Sequence, residues 1–257
     1  MGACLQVCTF CIDSKCFNCP LTMIMSTIAH KLQAVDATIY AASEAAGRDR
    51  ASIQLLAVSK SFPAEAVLEA IAAGQRAFGE NYLQEALDKM AAIAAALPAE
   101  PIEWHFIGPI QSNKTRPIAA GFAWVHTVER LKIAQRLSEQ RPAGMAPLNV
   151  CIQVNTSGEA SKSGAAAAEV AELARQVALL PNLKLRGLMT IPELETDEAK
   201  QRAAFACLRH LADQLRGSGL ALDTLSMGMS ADLGAAIAEG ATIVRVGSAI
   251  FGVRNYD

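Results

Sequence analysis

Residues 55–80 read LLAVSKSFPAEAVLEAIAAGQRAFGE. Leu55 to Lys60 is a short aliphatic run bounded by turn-forming residues, the pattern of a buried strand. Pro63 then opens AEAVLEAIAAG, a stretch of strong helix formers closed by Gly74. Proline suits a helix's first turn, where its missing N–H has no partner to lose, and glycine suits the position just past the end. Ala77 to Glu80 is a second apolar run. A helical crossover of this kind is what joins two parallel strands.

The same alternation continues outward. Candidate strands are Leu55–Lys60, Ala77–Glu80, Ile102–Gly108, Phe122–Val128, Asn149–Asn155, Lys184–Ile191, Thr224–Met229 and Ile243–Gly247. Helical patterns cover residues 81–96, 129–140, 164–180, 197–216 and 231–239; residues 112–120 form a weaker one, interrupted by Pro117. An opening helix runs from Ser26 to near Gly47, with Ile28, Leu32, Val35 and Ile39 at spacings of three and four. About eight strand–helix units without a linker predict an α/β fold, a single (β/α)8 TIM-type barrel over residues 25–257.

Hydrophobic residues make up 52% of the chain and charged residues 19%, which supports a sizeable core. A formal net charge of -2 gives no case for nucleic acid, and no polybasic segment favours a membrane surface. No run approaches the roughly 20 apolar residues needed to span a bilayer. Cys4, Cys8, Cys11, Cys16 and Cys19 crowd the first 19 residues, whereas Cys151 and Cys207 sit in apolar patterns and read as small core residues. The body therefore reads as cytoplasmic, from a reducing compartment.

Residues 1–24 form a Cys-rich extension unlike the rest. It lacks a basic n-region and a clean apolar h-region, and Gln6 stands where a myristoylation motif needs Ser or Thr. Cys4, Cys8 and Cys11 are spaced to ligate an iron–sulfur cluster, and four such thiolates can hold zinc. An iron–sulfur loop of that kind should follow a first barrel strand, and nothing here precedes it. The expectation is a dispensable extension without metal, the working protein beginning near Met25.

In such barrels chemistry sits at the C-terminal ends of the strands. Lys60 arrives there in phase with Leu56 and Val58. A partly desolvated lysine loses proton affinity, and a neutral amine can attack an aldehyde. The competing reading is a lysine that reaches water or pairs with Glu80. Arg245 alternates with apolar neighbours on the last strand, and such a buried guanidinium needs a partner, with Asp232 or Glu80 the structural choices. Gly247 and Ser248 follow it, and Ser226-Met227-Gly228-Met229-Ser230 ends the strand before. Small residues and hydroxyls there suit phosphate, which this fold often holds after its last two strands. Together these residues fit an aldehyde-bearing phosphate.

Five strings carry a family resemblance: Ala57-Val58-Ser59-Lys60; Phe78-Gly79-Glu80-Asn81-Tyr82; Trp104-His105-Phe106-Ile107-Gly108 with Gln111-Ser112-Asn113-Lys114; Ser226-Met227-Gly228-Met229-Ser230 with Asp232; and Arg245-Val246-Gly247-Ser248 with Phe251-Gly252. The chain from Ser26 onward resembles the YggS/PROSC family of pyridoxal phosphate homeostasis proteins. The resemblance implies a barrel like the N-terminal domain of alanine racemase. It implies pyridoxal 5′-phosphate (PLP) as internal aldimine on Lys60, with phosphate held by Ser230, Gly247 and Ser248. Arg245 would face the pyridine nitrogen, and Asn81 would line the pocket. Asn113 and Lys114 lie in the same motifs without an assigned role. His105 lies in those motifs too, either with a role there or as a satisfied histidine beneath the mouth; His126 reads as a similar satisfied histidine, and His30 and His210 as surface or packing residues.

Most PLP enzymes place a carboxylate at the pyridine nitrogen, which keeps it protonated. Arginine is a permanent cation with donors only, so it favours the neutral pyridine. Alanine racemase resembles this arrangement but carries a second domain that supplies a tyrosine base. Here the chain ends at Asp257, soon after the eighth strand, and neither Tyr82 nor Tyr256 has a sequence case as a base. The expectation is a PLP-binding protein of PLP homeostasis, without catalytic residues or robust turnover; a racemase-like PLP enzyme is the alternative. The expected partners are PLP and PLP-dependent apo-enzymes, and the expected state is a monomer.

Overall fold

The structure is a computed structural model and describes residues 26–157, 163–193 and 195–253. Residues 1–24, with their five cysteines, and Tyr256 lie outside the described residues. The opening helix α1 (Thr27–Ala45) is capped by the Ser26 hydroxyl, which accepts from the Ala29 N–H at 3.2 Å. Strand–helix units then follow: β1 (Gln54–Val58), α2 (Ala64–Ala72), β2 (Ala77–Glu80), α3 (Leu83–Ala96), β3 (Glu103–Phe106), α4 (Thr115–Gly121), β4 (Trp124–Val128), α5 (Leu131–Gln140) and β5 (Leu148–Asn155). A two-residue strand β6 (Ala165–Ala166) pairs only with the end of β5. The chain continues through α6 (Ala167–Ala178), β7 (Leu183–Met189), α7 (Glu198–Gly217), β8 (Thr224–Ser226), α8 (Leu233–Ala238), β9 (Ile243–Val246) and α9 (Ser248–Phe251).

The long strands pair in parallel in the order β4-β3-β2-β1-β9-β8-β7-β5, and β4 also pairs with β5. That last pairing closes the ring, so the expected eight-stranded barrel is present. Pro117 does not prevent α4, because it falls in the helix's first turn, where no intrahelical N–H is required.

Alternation along each strand separates two apolar layers. Ala57, Phe78, Val125, Val150 and Val244 join the large outer core beneath the helices. Leu56, Val58, Ala77, Trp124, Cys151 and Met189 form a smaller cluster that fills the barrel. The inward phase also carries His105, His126, Ser226 and Arg245, all buried. Cys151 is buried as expected, but Cys207 is exposed. On α7 the buried stripe is Phe205, Leu208, Ala212 and Leu215, and Cys207 falls beside it. The sequence reading also ran several strands too long: Lys60, Gly108, Ile191, Met229 and Gly247 lie beyond their strands' last residues. Those loops form the barrel's C-terminal mouth.

Candidate functional site

Lys60 follows β1 by two residues and is half-buried. Both neighbours are tied down by a buried ion-pair cluster. Lys89, on the inner face of α3, donates to the Ser59 carbonyl at 2.8 Å, to Glu80 Oε1 at 2.6 Å and to Glu85 Oε1 at 3.0 Å. Ser59 Oγ donates to the same Glu80 oxygen, and the Ser61 N–H donates to Glu85 Oε1 at 2.7 Å. Ser61 has φ +64, a left-handed conformation uncommon outside glycine. The chain therefore turns sharply just after Lys60, and the acidic cluster holds that turn. Burial pushes the Glu80 carboxyl upward, against the pull of Lys89. Glu80 thus spends its charge on Lys89; the competing reading that paired it with Lys60 or Arg245 finds no ion pair among the described residues.

The loop after β9 meets β1. A Cβ on Gly247 would sit 3.1 Å from the Val58 carbonyl oxygen, so glycine lets these two backbones approach. The Phe62 and Phe251 rings pack with centroids 5.2 Å apart, which joins the loop after Lys60 to α9. Beside it, Gly228 has φ +92, and a Cβ there would lie 2.5 Å from the Ala236 side chain. The Gly228 carbonyl accepts from the Arg245 N–H at 3.0 Å, and the Met229 N–H donates to Asp232 Oδ1 at 2.6 Å. These bonds tie the loop after β8 to β9, and Ser230 lies in that loop. On the other side of β1, Asn81 follows β2, and its buried Oδ1 has no hydrogen-bond partner among the described residues. Gly108 packs against it so closely that a Cβ would lie 2.2 Å from the Asn81 carbonyl oxygen.

Below the mouth, Arg245 is buried. It donates from one terminal nitrogen to Ser226 Oγ at 2.9 Å and from the other to the Thr190 carbonyl at 2.8 Å. Burial lowers its pKa to about 10, so it stays cationic at neutral pH. Asp232, the other structural choice, acts on it only at longer range. The structure therefore gathers Lys60, Asn81, Ser230, Arg245, Gly247 and Ser248 onto one end of the barrel, on β1, β2, β8 and β9 or the loops that follow them. Lys89 and Glu103 were not singled out from sequence, and Ser226 was read there only as part of a phosphate-suited stretch. The Glu85–Lys89 spacing of four and the alternation of Glu103 with His105 were the available signals, but neither names its distant partner.

A cavity of about 880 Å³ opens elsewhere, between α1 and α2, beside Leu32, Asp36, Leu55, Gly74 and Gln75. It lies at the opposite ends of the strands and contains none of the residues above.

The family model for the alanine racemase N-terminal domain matches residues 31–255. A pyridoxal phosphate homeostasis protein from Pseudomonas aeruginosa is 65% identical over 232 residues, covering 90% of this chain and 98% of the relative. The chain belongs to the pyridoxal phosphate homeostasis protein family. Another member of that family, from Escherichia coli, is 53% identical over 235 residues, covering 90% of this chain and 99% of its own length. Among solved structures, PipY of Synechococcus elongatus with PLP bound superposes with TM-score 0.77 at 38% identity, covering 88% of this chain and all of PipY (100%). Alanine racemase of Corynebacterium glutamicum superposes with TM-score 0.63 at 18% identity, which establishes a shared fold. The similarity to the pyridoxal phosphate homeostasis protein family thus spans the whole barrel and all five motifs.

Proposed function

We propose that this chain binds PLP at the barrel mouth through Lys60 and serves PLP homeostasis as a carrier. The observation that carries this reading is the set of polar groups at the mouth. It combines an amine on a held turn with, among the described residues, a buried arginine that touches no carboxylate and an Asn81 Oδ1 that has no hydrogen-bond partner. These residues fit the cofactor: Ser230, Gly247 and Ser248 would hold the phosphate, Asn81 would line the pocket, and Arg245 would meet the ring nitrogen. When bound, PLP would supply an aldehyde, and Lys60 would supply the amine that holds it. Lys89, Glu80 and Glu85 orient that amine by fixing the backbone on either side of it.

An Arg245 donor at the ring nitrogen disfavours its protonation, which weakens the ring as an electron sink. That argues for storage and delivery rather than turnover, in keeping with the names of the relatives. PLP-dependent apo-enzymes are the recipients this role requires, and a monomer suits exchange at an open mouth. A cytoplasmic setting accords with the two free cysteines among the described residues.

The absorption spectrum of the purified full-length chain, beside Lys60→Ala, tests the assignment. The expected result is a visible band that borohydride abolishes and that Lys60→Ala lacks. The same band in Lys60→Ala would move the attachment elsewhere, and no band in either protein after PLP addition would end the cofactor reading. Racemisation of amino acids that requires Lys60 would replace the carrier by an enzyme.

A further inference from the structure

Arg245 stands at one end of a buried chain that crosses the barrel. Ser226 Oγ lies 2.9 Å from the arginine and 2.8 Å from His126 Nδ1. His126 Nε2 lies 2.9 Å from His105 Nδ1, and His105 Nε2 lies 2.8 Å from Glu103 Oε1. Glu103 is half-exposed at the start of β3, and Gln54 donates to the same carboxylate oxygen at 2.9 Å. The Trp124 ring stacks on His105 with centroids 5.3 Å apart.

The two ends dictate every proton between them. A guanidinium only donates, and a carboxylate only accepts. Glu103 must therefore receive the His105 Nε2–H, which leaves His105 Nδ1 as an acceptor. It must receive the His126 Nε2–H, which leaves His126 Nδ1 to accept the Ser226 hydroxyl proton. The serine lone pairs are then free to take the Arg245 N–H. Burial lowers both histidines, and the bond from His105 holds Glu103 at about 2, so two neutral rings between an anion and a cation are the consistent state. The other charged or titratable groups bearing on this chain are Cys151 and Asp232, which act on Arg245 at longer range.

We propose that Ser226 and His126 are positioning residues for the cofactor's ring nitrogen, linked through His105 to Glu103 in a one-way hydrogen-bond chain that pins the Arg245 guanidinium below the mouth. This rests on the reading that Arg245 meets that nitrogen. Each bond polarises the next, so the distant carboxylate makes Ser226 a better acceptor and fixes which arginine N–H groups face the ligand.

The test uses the full chain with PLP labelled with 15N at the ring nitrogen. In the wild type the ring resonance should report an unprotonated nitrogen that accepts a hydrogen bond. Ser226→Ala and His126→Phe should move that resonance and weaken PLP binding about tenfold, on the order of one lost hydrogen bond. Ser226→Thr should restore both. Glu103→Gln, at the exposed end, removes the obligatory acceptor and should shift the resonance in the same direction by less. Should the core variants not fold, nitrogen NMR of the wild type still decides: both histidines should carry their proton on Nε2. An Nδ1–H on either ring would overturn the chain. Unchanged ring resonance and affinity in the variants, with PLP still bound, would overturn only this inference; a wild type that binds no PLP would overturn both.

Discussion

Two buried cations in this barrel are treated in opposite ways. Lys89, beneath α3, touches two carboxylates and a carbonyl. Arg245, inside the ring of strands, touches a hydroxyl and a carbonyl and forms no ion pair among the described residues. Removing a charge from water costs several kcal/mol, and only a well-placed counter-charge offsets it. The lysine is compensated within the protein and has a structural task, holding the turn that carries Lys60. The arginine is held in place but not neutralised, which agrees with the ligand-facing role proposed for it. Contact with charge of opposite sign thus separates framework from site where burial alone does not.

The largest effect that tests this contrast is at the lysine. Lys89→Met leaves Glu80 buried without its counter-charge and should destabilise the protein by about 3–5 kcal/mol, read from urea unfolding of the PLP-free chain. Arg245→Leu should change the stability of the same PLP-free chain by less than about 1 kcal/mol, because the lost hydrogen bonds are offset by removal of an unpaired charge. It should nevertheless weaken PLP binding by about tenfold or more in a fluorescence titration. If the arginine variant unfolds easily and the lysine variant does not, the contrast is reversed and Arg245 becomes framework.

Acid should separate the two regions next. Burial depresses the native pKa of His105 and His126 below the ordinary 6.5, so the unfolded chain takes up protons that the native rings refuse. Stability is fully present above pH 6.5 and should decline as pH falls through the depressed native values, by up to about 1.4 kcal/mol per pH unit for each proton. Glu103, lowered to about 2, adds its own loss below its ordinary 4.5. Unfolding midpoints between pH 7 and pH 5 should fall less steeply in His126→Phe than in the wild type. Lys89→Met should flatten the slope for the opposite reason: without Lys89 burial raises the Glu80 carboxyl further, and the native protein then takes up a proton as pH falls.

The smallest effect concerns how dry the barrel interior is. Burial pushes the Cys151 thiol up to about 12, while Cys207 lies exposed on α7. With the five N-terminal cysteines changed to serine, a thiol reagent at pH 8 should label Cys207 in the native protein and reach Cys151 only on unfolding. Rapid labelling of Cys151 would mean that water enters the barrel and that the Arg245 charge is less costly than its burial implies.

The eight strand–helix units were legible along the chain because a parallel barrel writes its pattern locally. Short apolar runs, Pro63 before a helix and Gly74 or Gly240 after one are properties of neighbouring residues. The strand-end positions of Lys60, Gly247 and Ser230 follow from the same pattern, since this fold puts all its strand ends at one face. Cys207 was misread because a small residue one step off a helical stripe looks apolar in sequence and still meets solvent. The sequence alone therefore determined the fold class, the face that carries chemistry and the residue types gathered there. Which charge answers which was decided only by closure of the barrel. Glu80 could have met Lys60, Arg245 or Lys89, and register with the inner face of α3 selected Lys89. The path from Arg245 to Glu103 joins β9 and β8 to β4 and β3, two strand pairs that are not neighbours in the sheet and meet only across the interior of the closed barrel, and hydrogen bonds act over about 3 Å regardless of separation along the chain.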